Sequence, residues 1–130
     1  MSWNEKAIGK IGISTMVVDH EVTAHHFGNE GVHVLATAMV GLLAEQALNT
    51  ALLPLIPEGH GIVGVRLQTY HRAPAPIRTN VKASVKITKV NRNFVSYEFQ
   101  VVTNEGKRLG DGDGESAVID MARFQRRIHK

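Results

Sequence analysis

An almost entirely apolar stretch runs from Val34 to Leu48, and the rest of the pattern is arranged around it. The stretch is rich in Ala and Leu and contains no proline, which predicts a helix from about Leu35 to Leu53 that ends at Pro54 and Pro57. Apolar residues cover nearly the whole circumference of this helix, so we expect protein to surround it on most sides. The helix is too short, and carries too many polar residues near its end, to span a bilayer.

Period-two alternation of apolar and polar residues predicts strands before and after the helix. A first strand is predicted over about residues 7–22, and a polar, glycine-containing connection follows over 20–31. After the long helix, four further strands joined by short turns are predicted at about residues 63–71, 81–88, 95–101 and 107–119. A short charged helix is predicted at 121–128. This order predicts an α+β fold in which an antiparallel sheet packs on one long helix, as a single domain over residues 1–130. One sheet on one helix leaves much apolar surface, so we expect at least a dimer.

Composition narrows the classes of partner. The net charge of +3 comes from basic residues scattered along the chain, and aromatic residues make up only 5% of it. We therefore do not expect a nucleic-acid-binding surface, which would need a stripe of basic residues and aromatic side chains on which bases stack. The chain has no cysteine, which excludes thiol chemistry, and its first ten residues do not resemble a signal peptide. Both features predict a cytoplasmic protein without a membrane partner.

Three short motifs do not predict a cofactor or metal site. Gly59–Gly64 spells G-x-G-x-x-G, but it lies between a helix and a following strand, the reverse of a dinucleotide loop. His20–His25 has the wrong spacing for a zinc pair, and Asp111–Glu115 lacks the later ligands of a calcium loop. We expect no metal and no cofactor.

Three polar residues remain on or beside the predicted core. Thr37 and Glu45 lie on the long helix, and the alternation places His71 on the face of a strand that carries Val65 and Leu67, opposite the face of Gly64. A carboxylate on an apolar helix needs a partner, and a histidine beside it suits proton transfer. Eight helical residues separate Thr37 from Glu45 by about 12 Å, so the two do not bond to each other within one helix. Either Thr37 precedes the helix, or a two-fold axis brings Thr37 of one copy near Glu45 of another.

These residues stand in a pattern that resembles the hot-dog-fold thioesterases, and within them the fluoroacetyl-CoA thioesterase-like group. The matching positions are Ala36-Thr37, Glu45, Gly64, the run His71-Arg72-Ala73-Pro74-Ala75-Pro76, and the C-terminal segment from Gly110 to Phe124. Aromatic lid residues stand shortly before the threonine in the fluoroacetyl-specific enzyme, whereas this chain has Gly28, Gly31 and only Phe27 there. We therefore do not predict selectivity for fluoroacetyl groups.

The resemblance implies an antiparallel sheet curled around the helix, a homodimer or higher oligomer, and hydrolysis of acyl-CoA thioesters at the subunit interface. By position, it implies that Thr37, Glu45 and His71 are catalytic and that Gly64 lines the acyl site. Arg72 is a candidate for the CoA phosphates, together with Arg66, Arg78 and Lys82.

Two other functions use the same kind of ligand. A hot-dog hydratase or dehydratase would add or remove water across a double bond, but the helix lacks the Asp-x-x-x-x-His pair of that class. A non-catalytic acyl-CoA-binding protein would keep the pocket and lack the chemistry.

Overall fold

A computed structural model describes residues 2–129 of the chain. Its elements are α1 (Trp3–Ala7), β1 (Ile11–Val17), α2 (Thr37–Leu52), β2 (His60–His71), β3 (Asn80–Asn91), β4 (Phe94–Thr103), β5 (Arg108–Asp120) and α3 (Met121–Ile128), with a 3₁₀ turn at His20–Val22. The strands form one antiparallel sheet in the order β1-β3-β4-β5-β2. The predicted α+β layer is therefore confirmed.

The sheet curls around α2, which supplies the centre of the core. Inward side chains of the helix, among them Leu43 and Leu48, are fully buried against alternate residues of β3 and β4 such as Val85 and Val101. Buried residues alternate with more exposed ones over 80–87 of β3 and 94–101 of β4, which explains why their sequence pattern is clear.

The sequence pattern misplaced some boundaries. α1 was not predicted, because its five residues are too few for a helical period. The predicted first strand extended over residues 7–22, whereas β1 covers only Ile11–Val17 and the chain then turns at Asp19, whose side chain accepts a hydrogen bond from the Glu21 amide. α2 begins at Thr37, two residues later than predicted.

A β-bulge in β2 overturns the predicted faces of that strand. The pairing of β2 with β5 shifts between Gly64 and Arg66, so Val65 is the extra residue. The bulge reverses the alternation, and Gly64 faces α2 on the same side as Leu67 and His71. Val65, which the alternation placed with His71, is instead 52% exposed.

Candidate active site

Thr37 and His71 form a pair at one end of the helix–sheet contact. Thr37 is the first residue of α2 and His71 is the last residue of β2, and Thr37 Oγ1 lies 2.9 Å from His71 Nδ1. The other ring nitrogen, His71 Nε2, is buried and has no hydrogen-bond partner among the described residues. A hydroxyl bonded to an imidazole is the arrangement in which histidine accepts the hydroxyl proton or orients the hydroxyl.

The start of α2 offers backbone donors beside this pair. Ala36 stands at the N-cap position and has no side chain that caps the helix, and Ala38 in the first turn is exposed. Free amides at a helix N-terminus attract negative charge, which suits a developing oxyanion.

Glu45 lies two turns further along α2, against Gly64. The half-buried carboxylate fills the place that a side chain at position 64 would occupy, since an ideal Cβ there would lie 2.6 Å from Glu45 Oε2. Glycine in the interior of a strand often marks such a close approach. The absence of a side chain at Gly64 therefore gives the carboxylate its position.

Replacing Gly64 with alanine should move the carboxylate and lower the turnover number. The new methyl group meets the flexible end of Glu45 rather than the backbone, so we expect the fold to persist and kcat to fall roughly 10- to 100-fold. Thermal unfolding and thioester hydrolysis are measured together. Gly61→Ala is the matched control, because its methyl group meets the side chain of Met121; an unchanged kcat for G64A would contradict the role of Gly64.

Within one copy of the chain, Glu45 does not reach the other two residues. Thr37 is helical, so about 12 Å along the helix axis separates it from Glu45. Gly64 and His71 are about 23 Å apart along β2. Gly41 lies midway between Thr37 and Glu45 on α2 and packs against Leu67 and Thr69 of β2. A Cβ added at Gly41 would lie 2.6 Å from Leu67 Cδ2. The alternative in which Thr37 precedes the helix is therefore wrong, and the two-fold arrangement stays a prediction.

Arg72 is exposed and already has a carboxylate partner. Its Nε and Nη2 lie 3.1 and 3.0 Å from the oxygens of Asp111, and its guanidinium is 4.8 Å from the centre of the Tyr70 ring. This bidentate hydrogen bonding raises the pKa of Arg72 and lowers the pKa of Asp111. Arg66 pairs with Asp113 through a single hydrogen bond, which its Nη1 donates to Asp113 Oδ1. Binding of phosphate by Arg72 stays a prediction, and it requires competition with Asp111.

Tyr97 is a buried polar residue near Glu45 that the sequence did not single out. Its ring lies over Gly114 of β5, and its hydroxyl is buried without a hydrogen-bond partner in residues 2–129. Burial, and after it the negative charge of Glu45, raises the pKa of Tyr97 to about 12. In the sequence Tyr97 lies with Val95 and Phe99 on the apolar face of a regular strand. That pattern gives no sign that its hydroxyl is buried near Glu45.

The raised pKa of Tyr97 predicts a loss of stability at high pH. The unfolded state releases the tyrosine proton near pH 10 whereas the folded state keeps it until about pH 12, so the free energy of unfolding falls as the pH rises between these values. We expect a contribution of at most about 1.4 kcal/mol per pH unit. Denaturant titrations from pH 8 to 11 should show that the free energy of unfolding declines less steeply with pH in Tyr97→Phe than in the wild type. Equal declines in the two proteins would contradict the raised pKa of Tyr97.

The curled antiparallel sheet around one central helix defines a hot-dog protein. A family model described as fluoroacetyl-CoA-specific thioesterase matches residues 18–122, and the chain belongs to this family. The solved structure of the fluoroacetyl-CoA thioesterase FlK superposes with a TM-score of 0.87 at 23% identity and covers 94% of each chain.

Two further solved structures share the fold. A thioesterase superfamily member from Thermus thermophilus has a TM-score of 0.87 at 23% identity, covering 94% of this chain and 90% of its own. A hot-dog-like protein from Thermanaerovibrio acidaminovorans has a TM-score of 0.88 at 23% identity, covering 98% and 95%. No curated protein sequence matches at a significant level.

The predicted hot-dog fold, family and thioester hydrolase class are confirmed. The roles of the individual residues, the oligomer and the cytoplasmic location stay predictions. Among residues 2–129, no group of three or more His, Asp or Glu side chains is placed to hold a metal, and no helix is long and apolar enough to cross a membrane.

Proposed function

We propose that two copies of the chain pair through β2 and hydrolyse a small acyl-CoA at two equivalent sites. Each site takes Thr37 and His71 from one copy and Glu45 from the other. The observation that carries the proposal is the split of these residues within one copy: a bonded Thr37–His71 pair lies at one end of β2, and Glu45 lies against Gly64 toward the other.

The edge of the sheet at β2 supports this pairing. β2 is twelve residues long and has a neighbouring strand on one side only, so its outer side has free backbone groups. It also exposes large apolar side chains, with Val65 at 52%, Leu67 at 40% and Tyr70 at 46%. A long apolar edge strand is a template for pairing with another strand.

A two-fold axis at Gln68, together with the bulge at Val65, gives the register that completes the site. Antiparallel pairing about that axis sets Gly64 of one copy opposite His71 of the other, with strands about 4.8 Å apart. The same register sets Val65 opposite Tyr70, an aliphatic–aromatic cross-strand pair of two exposed residues. Glu45 of the second copy then lies close to the unpartnered Nε2 of His71.

The site provides the groups that thioester hydrolysis requires. Glu45 activates a water molecule as general base, or attacks the carbonyl carbon itself to form an anhydride that water then hydrolyses. Thr37 positions the water or the carbonyl, and the first amides of α2 stabilise the oxyanion. When the tetrahedral intermediate collapses, the carbon–sulfur bond breaks and His71 transfers a proton to the CoA thiolate. The products are the free acid and CoA.

We infer a small acyl group from the family, whose name specifies a two-carbon acyl chain. Selectivity for fluoroacetyl is not part of the proposal, because Phe27 is the only aromatic residue of the loop before Thr37 and is 55% exposed.

Release of free thiol from a panel of short, branched and aromatic acyl-CoAs tests the proposal. We expect turnover of the short esters, and a loss of about 100-fold or more in both Thr37→Ala and His71→Ala with the dimer retained. Saturable binding of the esters without thiol release would contradict hydrolysis and favour the non-catalytic acyl-CoA-binding protein; addition of water to an enoyl-CoA would favour the hydratase.

A further inference from the structure

A cavity of about 540 Å³ lies between α3, the end of β5 and the β3–β4 hairpin, apart from the Thr37–His71 pair. Its functional side chains are three arginines, one histidine and two aromatic residues: Arg92, Arg123, Arg127, His60, Trp3 and Phe124. The volume lies within the range of small-molecule sites. We call this the arginine cavity.

The arginine cavity carries uncompensated positive charge. Within the described part of the chain, none of its three arginines has a carboxylate oxygen within 4.0 Å, whereas Arg66, Arg72 and Arg108 on the sheet each have one. The acid that lines the cavity is Asp120, and its carboxylate caps α3 by accepting a hydrogen bond from the Arg123 amide at 3.0 Å. Free guanidinium groups around a concave surface are suited to bidentate binding of phosphate.

Arg92 occupies a backbone conformation that arginine rarely adopts. Its φ is +59°, in the left-handed region where Gly and Asn are preferred. The adjacent Asn93 donates its side-chain amide to the Val118 carbonyl at 3.0 Å, which fixes this hairpin tip against β5. A strained residue held firmly beside a cavity is typical of a binding site.

Trp3 and Phe124 give the cavity planar apolar surfaces. Trp3 is partly buried and packs against the hydrophobic core, so its ring is held in place. Aromatic faces next to arginines are the combination on which nucleobases stack while phosphates are bound. The ligand class that fits is therefore a nucleoside carrying several phosphates.

The position of the arginine cavity relative to Glu45 suggests which nucleotide it takes. His60 pairs with Asp120 at the start of β2, and Gly64, against which Glu45 lies, follows about 13 Å further along the strand. CoA consists of a 3′-phosphorylated ADP joined to a flexible pantetheine arm that ends at the thioester. We propose that the arginine cavity, in place of Arg72, binds the 3′-phospho-ADP part of the CoA ester whose acyl group lies beside Glu45; this rests on the proposed function.

Binding is measured without turnover, because Trp3 is the only tryptophan of the chain. Titration with adenosine 3′,5′-bisphosphate should change the intrinsic tryptophan fluorescence saturably, and sodium pyrophosphate should compete only at much higher concentration. No change with the nucleotide, or equal affinity for pyrophosphate, would overturn the assignment. Either result is independent of whether the protein hydrolyses thioesters.

Kinetics then tests whether the nucleotide belongs to the substrate. We expect the double variant Arg123→Gln, Arg127→Gln to raise KM for the acyl-CoA about tenfold or more with kcat within twofold, because charge-assisted hydrogen bonds are lost. The acyl ester of N-acetylcysteamine, which has no nucleotide, should react equally with both proteins. Arg126→Gln is the matched control, since Arg126 is on the same helix but outside the cavity lining. An unchanged KM in the double variant, or an equal rise with the truncated ester, would overturn the proposal.

Discussion

Replacing Glu45 with glutamine should reduce thioester hydrolysis by about 100-fold or more while the protein remains folded and dimeric. Glutamine keeps the size of the side chain and its hydrogen-bonding oxygen, but it neither accepts the proton of the attacking water nor forms an anhydride. The contact with Gly64 involves only the end of the side chain, so the core around α2 is unchanged. Free-thiol release at saturating acyl-CoA measures the effect on kcat directly.

Glu58→Gln serves as the control for this substitution, because Glu58 is an exposed carboxylate in the turn before β2. It makes the same change of charge and should retain full activity. Wild-type turnover in the Glu45→Gln protein would show that this carboxylate takes no part in the reaction. The mechanism would then have to depend on Thr37 and His71 alone.

The substitution Val65→Asp should convert the dimer to monomers and thereby abolish thioester hydrolysis. Val65 is the extra residue of the bulge and is 52% exposed in one copy, so the substitution is compatible with the fold of that copy. In the proposed register it would bury a carboxylate against Tyr70 at two symmetric places, where the Arg72 guanidinium beside that ring is already paired with Asp111. Light scattering combined with size-exclusion chromatography gives the oligomer, and thiol release gives the activity.

Val17→Asp makes the same change on β1, the opposite edge of the sheet, where the valine is 55% exposed. We expect that variant to remain dimeric and active. A Val65→Asp protein that stays dimeric would place the interface elsewhere, and a monomer with full activity would contradict a shared site.

The sequence predicted most of the fold because its strands have one buried and one exposed face. β3 and β4 alternate over most of their length, and α2 is apolar around nearly its whole surface, so the hydrophobic pattern identified them. α3 has its predicted bounds, and the structure shows that Asp120 caps it by accepting a hydrogen bond from the Arg123 amide. The short α1 was not predicted and the first strand was predicted too long, while β2 begins three residues earlier and β3 ends three residues later than predicted.

The site was harder to predict, because its geometry depends on an irregularity. The bulge at Val65 shifts Gly64 to the face of α2, and strict alternation could not show this; the single glycine inside a strand was its one local sign. Tyr97 and the arginine cavity depend on contacts between distant segments. Arg92 and Arg123 are thirty-one positions apart in the sequence, so no local pattern joins them.

A mixed dimer of two inactive variants tests most directly whether each site is shared between copies. Glu45→Gln and His71→Ala chains with different affinity tags are co-expressed, and the dimer carrying both tags is purified. If each site combines Thr37 and His71 of one copy with Glu45 of the other, the mixed dimer contains one intact site and should show about half of the wild-type activity. If all three residues act within one copy, both of its sites are defective, and the mixed dimer will be as inactive as either parent.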